Sequence, residues 1–193
     1  MTSRLDIFAS AIIYYSRNNQ DVVHEHLGDI HKQLASSFRS FEIIIVNNTA
    51  YNVAPEQFET YENVTILNLS YVHGREQAMT AGADLAIGDF LFEFDYMPTR
   101  LPEGILREMQ NTAFNECADI VVAMNASSSK WTSRLFYYIL RKCNITDVPM
   151  GTDLIRLISR RALNSILQER RSFRFRKLLY ARSGYKNTAL INE

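Results

Sequence analysis

Between Leu5 and Met124, short apolar runs rich in β-branched and aromatic residues alternate with stretches whose apolar residues recur every three or four positions. Strands and helices taking turns in this way leave one simple solution that buries every apolar face, an open and mostly parallel sheet covered by helices on both sides. Leu5 to Tyr15 is nearly continuous in apolar residues, as expected of a strand buried on both faces. Val23, Leu27, Ile30, Leu34 and Phe38 then follow at helical spacing, behind Asp21 as candidate N-cap. Phe41 to Val46 reads as the second strand and Val64 to Leu69 as the third, with at most one helical turn in the polar loop between them. Arg75 to Ile87 reads as a helix ended by Gly88, Phe90 to Asp95 as a strand, Glu103 to Phe114 as a helix behind Pro102, and Asp119 to Met124 as a fifth strand. Beyond a Ser-rich stretch, Trp131 to Cys143 has helical spacing. Leu154 to Ile158 is strand-like, and Ser159 is placed to cap a helix through Leu167. This last third is expected to be appended, finishing one edge of a crevice.

A chain of 193 residues is most simply one domain with a substantial core. Its 47% hydrophobic content, with seven Gly and four Pro, excludes a disordered or low-complexity chain. No apolar run approaches the ~20 residues needed to cross a bilayer. The first residues lack the layout of a signal peptide, so a soluble, cytoplasmic protein is expected. Cys117 and Cys143 have neither metal-ligand nor redox spacing and read as buried free thiols. Formal charge sums to zero, yet residues 156–186 hold ten Lys and Arg against the single acid Glu169, leaving 11 basic and 20 acidic residues elsewhere. A basic end on an acidic chain suits a phosphate-bearing partner or an anionic membrane surface, or else a solvated helix face. The acidic remainder would repel a long polyanion, which argues against nucleic acid.

The polar residues with chemistry to offer fall at strand ends. Ser16-Arg17-Asn18, Asn47-Asn48 and Asp95 each follow a strand, where an open α/β sheet binds its ligands. Side chains alternate along a strand, so Glu93 and Asp95 share a side. Such a pair either holds a divalent cation or serves structure, with Asp95 in the turn and Glu93 on an arginine. Asp153 stands just before the strand-like run of 154–158.

Several stretches, in this order, resemble family 2 glycosyltransferases of the GT-A fold: Glu42-Ile-Ile-Ile-Val-Asn-Asn, Leu69-Ser-Tyr-Val-His-Gly-Arg-Glu-Gln-Ala, Gly88-Asp89, Asp95 with Pro102-Glu103, and Asp153-Leu-Ile-Arg-Leu-Ile-Ser-Arg-Arg. Within that family the polyprenyl-phosphate, dolichol-phosphate mannose synthase type is the most similar. The resemblance implies one domain over 1–193, with a nucleotide-binding part at 1–125 and an acceptor-side, basic part at 126–193. It implies an inverting hexosyltransferase that takes a sugar from a nucleotide-diphosphate donor, with Mg or Mn as cofactor. The implied acceptor is a polyprenyl phosphate or other lipid at the cytoplasmic membrane face, in cell-wall or polysaccharide synthesis.

The resemblance implies donor contacts at Ser16, Asn18, Asn47, Asn48, Gly74, Arg75 and Asp95, a metal on Asp95 with Glu93, and Asp153 as catalytic base. Two departures stand out. Asn47-Asn48-Thr49-Ala50 replaces the family's Asp-Asp-Gly-Ser, leaving an amide to meet a base edge. Asp95-Tyr96-Met97 keeps only the first acid of Asp-x-Asp, and a thioether is a poor ligand for a hard cation. The alternative reading is therefore a catalytically degenerate module that binds nucleotide sugar. Arg170 to Lys186 interleaves seven basic residues with Phe173, Phe175, Leu178, Leu179 and Tyr180. Such a stretch suits peripheral contact with a membrane, closure over a diphosphate, or burial of its apolar groups.

Overall fold

The computed structural model describes residues 4–98, 101–125, 153–168 and 176–192. The chain runs β1 (Leu5–Tyr15), α1 (Gln20–Ser37), β2 (Phe38–Asn47), a 3-10 turn (Pro55–Phe58), β3 (Val64–Asn68), α2 (Arg75–Leu85), β4 (Phe90–Phe94), α3 (Ile105–Asn115) and β5 (Ile120–Asn125). After residues 126–152 it resumes with β6 (Asp153–Ser159), α4 (Arg160–Gln168), α5 (Arg176–Arg182) and β7 (Asn187–Asn192). One seven-stranded sheet has the order β3-β2-β1-β4-β6-β5-β7. Every pairing is parallel except those of β6, which runs against both β4 and β5.

Alternation along the strands sorts the core into two layers. Ile13, Ile45 and Phe92 point to the face covered by α1 and α3, where Leu27, Ile30 and Met109 meet them. Their neighbours Ile12, Ile44 and Leu91 point to the other face, against Met79 of α2, Leu163 of α4 and Tyr180 of α5. Tucking a strand between helices on both sides is why β1, β2 and β4 are apolar in successive residues rather than alternately.

Local chemistry shifts several expected boundaries. The α1 N-cap is Asn19, not Asp21; Asp21 sits in the first turn, where a carboxylate still favours the helix N-terminus. Phe38 does not close α1's apolar stripe. It adopts extended φ −118° and ψ 148° and begins β2, with its ring against Phe92. Gly88 is not the cap of α2, which ends at Leu85. It is needed for close approach, since a Cβ there would lie 2.5 Å from Ser10 Oγ and 2.6 Å from Ser10 N. Cys117 is exposed, at a left-handed φ of 50° just past α3, rather than buried. Cys143 and the expected helix over 131–143 lie outside the described residues.

The largest correction concerns the last third. It does not merely trim an edge, because β6 is inserted between β4 and β5 in the middle of the sheet, and β7 adds the outer strand beyond β5. The expected cap at Ser159 is present, its Oγ accepting from Ala162 N–H at 3.3 Å. With β2 and β3 on one side of β1 and β4 on the other, the strand order reverses at β1. A crevice opens there, at the carboxyl ends of the parallel strands.

Candidate functional site

A cleft of about 690 Å³ lies at that reversal. Tyr14 near the end of β1 and Ser16 to Asn19 after it line one wall, Asn48 to Ala50 follow β2, Val72 precedes α2 and Arg75 opens it, and Asp95 to Met97 follow β4. Four exposed apolar side chains belong to the loops around it: Tyr51, Tyr71, Val72 and Tyr96. Ser16 and Asn18 both line the cleft. Ser16 is fixed through its N–H and hydroxyl, which donate to Asn19 Oδ1 at 2.7 and 3.1 Å. Asn18 is exposed.

The two asparagines at the end of β2 are used differently from expectation. Asn47 is 1% exposed; its amide nitrogen donates to Tyr51 O and Asn68 Oδ1, while its oxygen accepts from Thr49 N and Oγ1. Those four bonds exhaust its capacity, so Asn47 is a loop anchor with nothing left for a base edge. Asn48 donates to the Tyr14 hydroxyl and to His73 O, each at 2.9 Å, and accepts from His73 N at 2.8 Å. It lines the cleft with both donors committed, stitching the β1 end to the loop before α2. Gly74 lies outside the lining as N-cap of α2, its N–H donating to Gln77 Oε1.

Arg75 is the cation that faces this space from the first turn of α2. Its guanidinium carbon stands 3.8 Å from the centre of the Tyr96 ring and 5.2 Å from that of Tyr14. Its Nε is buried without a hydrogen-bond partner, and no carboxylate pairs with it among the described residues. Arg17, exposed on the opposite wall, lies over Tyr51.

The carboxylates at the end of β4, Glu93 in the strand and Asp95 just after it, are engaged by arginines. Glu93 and Arg156 are directly opposed across the antiparallel β4/β6 pair, with Glu93 Oε2 accepting from Arg156 Nη1 at 2.8 Å. Glu93 Oε1 accepts from Arg176 Nη1 at 2.7 Å and from the Tyr180 hydroxyl at 2.8 Å. Arg176 also donates through Nη2 to Asp95 Oδ1, through Nε to Glu76 Oε2 at 2.9 Å, and through its backbone N–H to the same oxygen. Arg156 lies 3.7 Å from the other Asp95 oxygen.

Burial pulls the Arg176 guanidinium down, but Glu93, then the Tyr180 phenol, Asp95 and Glu76 outweigh it and hold Arg176 well above the ordinary value. Burial, then Glu93, pushes the Tyr180 phenol well above its own. The cluster is a clamp of two guanidiniums and three carboxylates joining α2, β4, β6 and α5. Sequence reasoning had singled out the basic stretch containing Arg176 and the option that Glu93 meets an arginine, but not Arg176, Tyr180 or Glu76 as members of one network. Their signal was residue type alone, because the contacts span up to 100 residues. The remaining arginines of 170–174 lie outside the described residues.

Asp153 opens β6, its Cα opposite Met124 of β5. Because β6 runs against β4, this first residue lies at the same edge of the sheet as Asp95.

No protein-family model matches the chain. Among curated proteins it is similar to the uncharacterized glycosyltransferase sll0501 of Synechocystis sp., at 29% identity over 79% of this chain and 50% of that one. It is also similar to the uncharacterized glycosyltransferase YkcC of Bacillus subtilis, at 24% identity over 90% of this chain and 56% of that one. The chain thus spans about half the length of the curated relatives it matches. Among solved structures it resembles the mannosyltransferase PcManGT of Pyrobaculum calidifontis in complex with GDP-Man and Mn2+. The TM-score is 0.65 at 14% identity, over 97% of this chain and 57% of that one. The fold is that of the GT-A, nucleotide-diphospho-sugar transferases.

A divalent cation needs about six oxygen ligands, several of them from carboxylates or substrate phosphates. Among the described residues no three His, Cys, Asp or Glu side chains converge on such a point. Glu93 has both oxygens occupied and is buried. Asp95 faces guanidiniums, and Met97 offers a thioether where a second acid is expected. The described residues therefore do not fit the expected metal site on Asp95 and Glu93. Arg176 and Arg156 already stand beside the two Asp95 oxygens.

Proposed function

We propose that this chain is the catalytic part of a glycosyltransferase that binds a nucleotide-diphosphate sugar in the cleft at the β1, β2 and β4 ends. The observation that carries the reading is Arg75, an unpaired cation of the described cleft wall, set at the strand reversal of a GT-A fold. Ser16 and Asn18 line the end of the cleft suited to a nucleoside, and Arg75 the part suited to the diphosphate. The acceptor oxygen attacks the anomeric carbon as the bond to the departing diphosphate breaks, a single displacement that inverts that carbon. Where the attacking oxygen carries a proton, as a hydroxyl or a monoprotonated phosphate does, Asp153 is the candidate base that takes it, which requires Asp153 within about 3 Å of that oxygen, directly or through a water. A lipid phosphate is the acceptor class that the sequence resemblance favours.

One observation favours a second reading, a module that binds nucleotide sugar without turning it over: Asp95 is held by Arg176, and Met97 stands two positions on, where a second acid is expected. Saturation-transfer NMR against sugars carried on UDP, GDP and dTDP, followed by assay of nucleoside diphosphate release with polyprenyl phosphate, separates the two. Binding with release supports transfer, and binding without release supports the module. Absence of binding by every donor overturns both.

A further inference from the structure

We propose that this chain binds its donor diphosphate without a divalent cation, with Arg75 meeting the phosphate charge directly and Arg176 holding Asp95 away from coordination. The proposal rests on the nucleotide-sugar reading above and adds what neutralises the ligand. A diphosphate brings two or more negative charges into the cleft, and some positive charge has to answer them. Asp95 is not placed to recruit it from solution. A cation there would sit beside two guanidiniums, Arg176 on Oδ1 and Arg156 3.7 Å from Oδ2, and Arg176 does not make way readily, being 3% exposed and held at the same time by Glu76 at 2.9 Å and Glu93 at 2.7 Å. Removing one acceptor from a guanidinium so enclosed leaves a buried charged donor unmet, which is strongly unfavourable.

Arg75 has the opposite character. Its guanidinium carbon lies over the ring faces of Tyr14 and Tyr96, and no carboxylate of the described residues takes its N–H groups. Nε already lacks an acceptor although it is buried, so an oxygen arriving there relieves a cost the empty cleft carries. A planar fork of donors matches two phosphate oxygens at once, as a point charge does not. Asn48 contributes indirectly as a positioning residue. By tying the Tyr14 hydroxyl to the His73 backbone it fixes one ring of the stack relative to the loop that starts α2.

Titration calorimetry of GDP and UDP into the protein, in EDTA and again in excess MnCl2, tests this, with Mn2+ paramagnetic resonance on the protein alone as a second readout. The expected result is the same Kd in both media and no tight Mn2+ site. Arg75→Met should weaken binding by about tenfold or more, the worth of a charge-assisted contact. Arg75→Lys, which keeps charge without the fork, should lose less. Binding that requires Mn2+ overturns the proposal and leaves the nucleotide-sugar reading standing. Binding in EDTA that neither Arg75 variant changes overturns the role of Arg75. Binding of neither nucleotide in either medium overturns this proposal together with the reading on which it rests.

Discussion

Arg176 and Glu93 lie 83 residues apart in sequence, and their side chains meet at 2.7 Å with exposures of 3% and 0%. The pair fastens α5 onto β4, a strand near the centre of the sheet. Arg176→Met leaves Glu93 and Asp95 short of a buried counter-charge, and a loss of about 3–5 kcal/mol in urea unfolding is expected. Adding Glu93→Gln should cost less than the two single changes together, since the pair is coupled. Strict additivity of the two would show that the residues do not act as one network.

At the opposite edge of the sheet, Asp119 accepts from Arg161 at 2.6 and 2.8 Å and from Ser159 Oγ at 2.7 Å. The Arg161 hydrogen bonds, opposed by burial and aided by Ser159, hold its carboxyl below the ordinary value. A depressed folded value means the carboxylate contributes stability above the unfolded carboxyl range, near pH 3.9, and loses it as pH falls through the folded value. Wild type should therefore melt above Asp119→Asn at pH 7, with the gap narrowing as pH drops toward 2. A gap constant with pH would show that the variant acts through packing instead.

Gln110 in α3 is fully buried, and neither end of its amide has a hydrogen-bond partner. Gln110→Met keeps length and volume while removing both unmet groups, so a gain of about 1 kcal/mol is expected, or a Tm rise of about 2–4 °C. A lowered melting temperature would mean the amide is serving an interaction in solution.

Gly88 should not tolerate a side chain. Gly88→Ala places a carbon 2.6 Å from the backbone nitrogen of Ser10 and disturbs the bonds Gly88 N–H to Ser10 Oγ and Ser10 Oγ to Glu42 Oε1. The expected loss is about 1–3 kcal/mol in denaturant unfolding, as for an overpacked core position. Unchanged stability would show that β1 and the α2–β4 turn can separate freely.

The fold was legible wherever burial and period spoke together. β1, β2 and β4 declare themselves because Ile12 and Ile13, or Ile44 and Ile45, are buried on opposite faces and so both had to be apolar. The direction of β6 was not legible, since Leu154 to Ile158 reads the same whichever way it pairs, and β7 at the edge carries too little apolar signal to be foreseen. At the site, the sequence pattern showed that Asn47, Asn48 and Asp95 fall at strand ends and Arg75 at a helix start, and their positions there follow from topology. It could not show how their hydrogen-bonding capacity is spent. An asparagine that meets a nucleobase and one that locks a loop differ only in neighbours, and the neighbours of Asn47 include Asn68 on another strand.

The reversed strand also dictates an order of assembly. β4 and β5 do not pair with each other; each pairs with β6, which is synthesised after them. A nascent chain that has emerged only through β5 presents three strand edges whose partners are not yet made, one of β4 and both of β5, and such edges recruit strands from other molecules. Closure waits for residues 153–159, and these bring Arg156 to Glu93 as they seat. A fragment stopping after β5 should therefore aggregate rather than fold, even though it contains most residues of the cleft.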